Sequence, residues 1–130
     1  MNIIFGTTEL VKLQDKYIVL ELDTITIKNG NPITAYCVIE DLPLEELNQA
    51  AVFKKLHADL IENYRNRNWN FCIHALDHLT GFWGKQIDSF YDILRTRVTE
   101  YIQFEPDENW TAIVTKRSSD MHYANHENDK

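Results

Sequence analysis

The sequence predicts an α+β domain: an N-terminal β-hairpin, with a short extra strand and helix, packed on a three-helix antiparallel layer. Three observations predict it. β-Branched residues crowd Tyr17–Ile27 and Ile33–Glu40, as they do in strands. Asn29-Gly30 lies between those runs and suits the positive φ angles of a tight hairpin turn. From Leu47 to Ile102, three stretches of helix-period apolar residues follow one another with very short breaks. Strands first and helices afterwards is the order of an α+β chain. A length of 130 residues fits one such domain, placed at residues 1–115, with 116–130 as a disordered polar tail.

In order, Ile3-Ile4-Phe5 reads as a short buried strand ended by Gly6. Thr7 or Thr8 can then cap a short helix, Glu9 to Gln14, by accepting a backbone N–H with its hydroxyl. A two-residue turn at Asn29-Gly30 sets Leu22 opposite Cys37 and Leu20 opposite Ile39. With Ile18 and Ala35 they line the hairpin face best suited to cover a core. The opposite face carries Glu21, Asp23, Tyr36, Val38 and Glu40, because side chains alternate with period two.

Pro43 suits the first turn of a helix, where its missing N–H costs nothing. The first long helix gathers Phe53, Leu56, Leu60, Ile61 and Tyr64 on one side. The break at Arg65–Asn68 is short, so the next helix folds back antiparallel. That second helix, Trp69 to about Thr80, is apolar over more than half its circumference through Cys72, Ile73, Ala75, Leu76 and Leu79. It belongs in the middle of the layer, touching neighbours on two sides. Gly81 is placed as a left-handed terminator. The third helix, about Gln86 to Ile102, carries the stripe Ile87, Phe90, Tyr91, Leu94, Val98 and Tyr101. Pro106 ends that region, and Trp110–Thr115 can add a last strand.

Tyr64-Arg-Asn-Arg-Asn-Trp-Asn-Phe-Cys-Ile-His-Ala-Leu-Asp-His-Leu79 resembles the helix–turn–helix of tetratricopeptide repeats, within about residues 47–82. In that family an aromatic closes the first helix, a short polar turn with an aromatic follows, and small residues pack the second helix. Tyr64, Trp69 and Cys72 or Ala75 match those roles. Leu60 stands near the family's helix-one glycine, and its closing proline is absent. The resemblance covers one repeat, whereas arrays usually need about three, and it implies a shared way of packing a helical hairpin.

Composition narrows the function classes. A net charge of -7 excludes phosphate-backbone binding, which needs clustered Lys and Arg, and Arg65-Asn66-Arg67 is too small a cluster to supply it. Cys37 and Cys72 sit in apolar runs and read as core residues of a reducing compartment. The start lacks the basic region of a signal peptide, and no apolar run approaches the roughly 20 residues of a membrane span. The expectation is a cytoplasmic protein without nucleic-acid or membrane partners. Richness in Asn, Ile, Lys and Tyr points to an AT-rich coding genome, bacterial or phage.

Four groups of residues are candidates for chemistry. His74 and His78, at i and i+4 on one helix face, can both reach one metal ion. His74-Ala-Leu-Asp77-His78 is similar, with Asp for Glu, to the inverted zinc-protease motif, which implies a Zn-dependent hydrolase with Asp59 or Glu62 as third ligand. A solvated polar stripe explains the same spacing and is the preferred reading. His57 falls in the apolar stripe of its helix and reads as a hydrogen-bonded core histidine, with a tuned acid, base or ligand as the alternative. Glu21, Asp23 and Glu40 share a hairpin face, where carboxylates either bind Mg²⁺ or Ca²⁺ or keep a strand soluble. His122 and His126 repeat the i, i+4 spacing inside the tail, a weaker pattern.

Gly-rich phosphate loops, Cys-x-x-Cys pairs and nucleophile elbows are all absent from the sequence. The reading is a non-catalytic protein-interaction or structural accessory module, binding a protein partner or itself, without a cofactor. Phe82 and Trp83, between two glycines in a helix connection, are its contact residues if they stand exposed.

Overall fold

Strands precede the helices along the chain and a last strand follows them, and the fold is α+β. The computed structural model describes residues 1–6, 12–27 and 30–116. Two compact units emerge: one takes Met1–Glu40 and the chain from Ile113, the other Asp41–Ala112.

The first unit is a four-stranded mixed sheet, β1 (Asn2–Phe5), β2 (Ile18–Ile27), β3 (Ile33–Ile39) and β4 (Ile113–Lys116), in the order β1-β3-β2-β4. β1 and β2 both run antiparallel to β3, and β4 runs parallel to β2. A parallel pair needs a long connection, which the intervening chain supplies. The strand expected at Trp110–Thr115 begins later, at Ile113, and Trp110 belongs to the segment before it. β1 is an edge strand of half-exposed and exposed residues, so the expectation of a buried strand is corrected. The short helix expected at Glu9–Gln14 lies largely outside the described residues, as do Asn29, His122 and His126.

The hairpin register differs from a two-residue turn. Leu20 pairs with Cys37 and Ile18 with Ile39, two residues away from the expected partners. Beyond an irregularity between Glu21 and Thr24, Thr24 pairs with Thr34 and Ile25 with Ile33. An extra residue in one strand resets the alternation. Ile25 thereby joins the face of Leu20, Ala35 and Cys37, and all four are buried. Asp23, expected on an exposed polar face, is buried at the irregularity, and Val38 on that face is buried too.

In the second unit Pro43 precedes a single helical turn, α1 (Leu44–Leu47). A break at Asn48–Gln49 separates it from α2 (Ala50–Arg65), which is followed by α3 (Trp69–Leu79) and α4 (Asp88–Gln103). α3 packs against both α2 and α4, as its broad apolar arc requires. Leu60, Leu76, Leu79, Phe90, Leu94 and Val98 are fully buried, while Leu56 and Ile73, expected in the core, are half-buried. No helix among the described residues is long and apolar enough to cross a membrane.

Gly81 ends α3 at φ 90°, a conformation glycine adopts without a Cβ penalty. Trp83, Gly84 and Lys85 then form a tight left-handed turn at φ 56°, 59° and 62°. The left-handed region costs a residue with a side chain roughly 1–2 kcal/mol. Burial of the Trp83 ring and a 2.7 Å bond from the Gly84 amide to Glu46 Oε1 hold the turn in place.

Candidate functional site

The most structured constellation lies at the α2–α3 turn. α2 ends at Arg65, and the chain reverses through Arg67, which takes φ 65°. That backbone turns the Arg67 side chain onto the segment after α4. Its guanidinium donates to the carbonyls of Pro106 (2.8 Å) and Asp107, and contacts the Trp110 carbonyl at 3.5 Å. It also pairs with Glu105 Oε2 at 3.3 Å and lies over the Trp110 ring, 5.4 Å from its centroid. A planar fork with five N–H donors can serve several acceptors at once.

Glu105 is shared. Its other oxygen accepts the Trp69 indole N–H at 3.0 Å. Below the clasp, Tyr64, Trp69, Tyr101 and Trp110 form a four-ring cluster in which every pair of centroids lies 5.1 to 6.5 Å apart. Rings at such spacing touch one another directly, mostly edge to face.

Beside it opens a cleft of about 380 Å³, lined by Arg67, Asn68, Trp69, Asn70, Phe71 and Ile102. Asn68 is fixed by donating from its side-chain amide to Asn63 Oδ1 at 2.8 Å. Apolar groups stand out here: Phe71 is 38% exposed, Ile102 50%, and Phe104, two residues further, 78%. Polar groups make up the larger part of the lining, with Phe71 and Ile102 supplying an apolar portion, a mix that suits a side chain together with its adjoining backbone.

The residues singled out from the sequence lie elsewhere. Phe82 and Trp83 are both buried. Phe82 stacks on Phe53 at 3.9 Å and meets Trp83 edge-on at 4.9 Å. They offer no exposed apolar patch, because the left-handed turn directs both rings inward. The indole nitrogen of Trp83 has no hydrogen-bond partner among the described residues.

His74, Asp77 and His78 all lie on the exposed side of α3. His78 Nδ1 is 2.9 Å from the His74 carbonyl, so that nitrogen carries the proton and donates it. Asp77 pairs with Arg95 at 2.9 Å and Asp59 with Lys55 at 3.1 Å, while Glu62 is exposed. Among the described residues no group of three His, Cys, Asp or Glu side chains is placed to hold a metal ion. The hairpin carboxylates Glu21, Asp23 and Glu40 form no such group either. His57 is buried on α2, with Nδ1 2.9 Å from the Tyr91 hydroxyl of α4, the partner a core histidine requires. Burial pushes the Cys72 thiol up to about 11.

Arg67, Glu105 and Trp110 were not legible as a unit, since the α2–α3 turn and the segment after α4, far apart in the chain, supply them. Phe71 was legible in part: on the wheel it falls on the polar side of α3, near His78, where an aromatic has no core to fill.

Comparisons with protein-family models, with curated proteins and with solved structures find no match to this chain.

Proposed function

We propose that the protein is a non-catalytic interaction module that receives an apolar side chain of a protein partner in the cleft beside Phe71 and Ile102. The observation that carries this reading is the exposure of Phe71 and Ile102 in the lining of a cleft whose rim is held by the Arg67 clasp. Apolar side chains scattered singly are ordinary, but several at the mouth of a cleft mark a contact site. A rim fixed in advance loses little conformational entropy on binding. Asn70, exposed at the cleft edge, offers an amide donor and acceptor to the partner's backbone.

The test is affinity capture with immobilised protein, run in parallel with Phe71→Ser and Ile102→Asp. Circular dichroism first establishes that both variants keep the wild-type helix content. Wild type should retain a protein partner that both variants lose. Retention of the same proteins by all three refutes the cleft as the contact site.

A further inference from the structure

Arg67 is the charged member of the cleft lining, and its guanidinium is already engaged. Glu105 pairs with it at 3.3 Å, and the carbonyls of Pro106, Asp107 and Trp110 take up its N–H groups. A carboxylate or phosphate entering the cleft would have to displace those partners to reach the charge. The lining itself contributes no carboxylate that would attract a cation. Its chemistry therefore favours a neutral occupant.

Two features of the lining distinguish among neutral side chains. Phe71 and Ile102, both exposed, offer an apolar wall that includes an aromatic ring. A second ring laid on Phe71 gains from aromatic pairing beyond the area it buries. Asn68 is exposed in the same lining, and its amide nitrogen donates to Asn63 Oδ1 at 2.8 Å. That bond orients the amide and leaves Asn68 Oδ1 as an acceptor without a donor among the described residues. A purely apolar side chain seated here would take that oxygen out of water and leave it unpaired, which is costly.

Resting on the reading of the cleft as a contact site, we infer that it selects a tyrosine side chain of the partner. The ring lies on Phe71 and Ile102, and the hydroxyl donates to Asn68 Oδ1. A cleft of about 380 Å³ falls within the range of roughly 300–1,000 Å³ typical of sites for small ligands, and holds a phenol with its adjoining backbone. Asn70 stays available to that backbone. Phenylalanine brings the same ring but leaves the acceptor bare, and a site that hydrogen-bonds a hydroxyl rejects the analogue lacking it.

The full chain is titrated with N-acetyl-tyrosinamide, N-acetyl-phenylalaninamide and N-acetyl-leucinamide while the Asn68 side-chain amide and the Ile102 methyl groups are followed by NMR. The tyrosine probe should saturate both signals and bind about two- to tenfold more tightly than the phenylalanine probe, as one neutral hydrogen bond allows. The leucine probe should be the weakest. Asn68→Ala should bring the tyrosine probe down to the phenylalanine level without weakening the latter, and Asn68→Asp, which keeps an acceptor, should retain the preference. Circular dichroism establishes that both variants keep the wild-type fold. Equal binding of the tyrosine and phenylalanine probes, or a preference that survives Asn68→Ala, overturns the tyrosine assignment and leaves the cleft as a contact site. Signals that no probe moves remove the contact site and the tyrosine assignment together.

Discussion

Arg67→Lys keeps the charge and the backbone but removes the planar fork, which isolates what the clasp contributes. An ammonium group can follow one of the carbonyls of Pro106, Asp107 and Trp110 but cannot span all three. Hydrogen bonds from a charged donor are worth about 1.5–3 kcal/mol when desolvated. Here the Arg67 side chain is 28% exposed and Glu105 56% exposed, so solvent screens both. Two lost carbonyl bonds at about 1 kcal/mol each, plus about 0.5–1 kcal/mol for the stack on Trp110, give a loss of about 2–3 kcal/mol. With a urea slope of about 2 kcal/mol/M, the unfolding midpoint should fall by about 1–1.5 M. Tryptophan emission of the folded variant should move to the red, because Trp69 and Trp110 lose their cover. An unchanged midpoint together with unchanged emission would falsify the assignment of Arg67 as the clasp of this rim.

Leu76→Ala, at a fully buried position of α3, should cost about 3–4 kcal/mol: three buried carbons at about 0.8 kcal/mol each plus a cavity term. His78→Ala on the exposed face of the same helix should stay within about 0.5 kcal/mol, and equal urea midpoints for the two would contradict the burial pattern. Gly81→Ala meets no atom within 4 Å, so its cost should be the backbone strain at φ 90°, about 1–2 kcal/mol in a thermal melt; a melting temperature at or above wild type would count against the left-handed terminator. For Cys72 the folded thiol is held up to about 11 against an ordinary value near 9.0. Below the lower value both folded and unfolded chains carry the neutral thiol, and the contribution to stability is complete. Between the two the unfolded chain alone ionises, so stability should fall as pH rises through that window. Cys72→Ala should flatten that part of the pH–stability curve, and an unaltered slope would sink the assignment.

The sequence by itself determined the class, the order of elements and most of the helical core. Periodicity at 3.6 residues is a local property, set by which side of a helix must leave water. It therefore located the long helices to within a few residues and marked α3 as the one with two neighbours. The faces of the strands were legible for the same reason, as far as Glu21. The irregularity before Thr24 was not, because a bulge depends on how two strands pair and leaves no mark on either strand's own pattern. The parallel partnership of β4 with β2 is likewise a matter of which edge a distant segment meets.

Exposure of individual aromatics was decided in three dimensions. Phe82 and Trp83, flanked by glycines, are turned inward by a left-handed turn that their own residue types do not favour. Phe71 and Ile102 stand outward at a cleft formed by α3, the turn before it and the end of α4. The Arg67 clasp needs a guanidinium from the α2–α3 turn and, far along the chain, a carboxylate and carbonyls from the segment after α4. Local sequence patterns encode which groups avoid water. Which polar groups find one another depends on long-range packing.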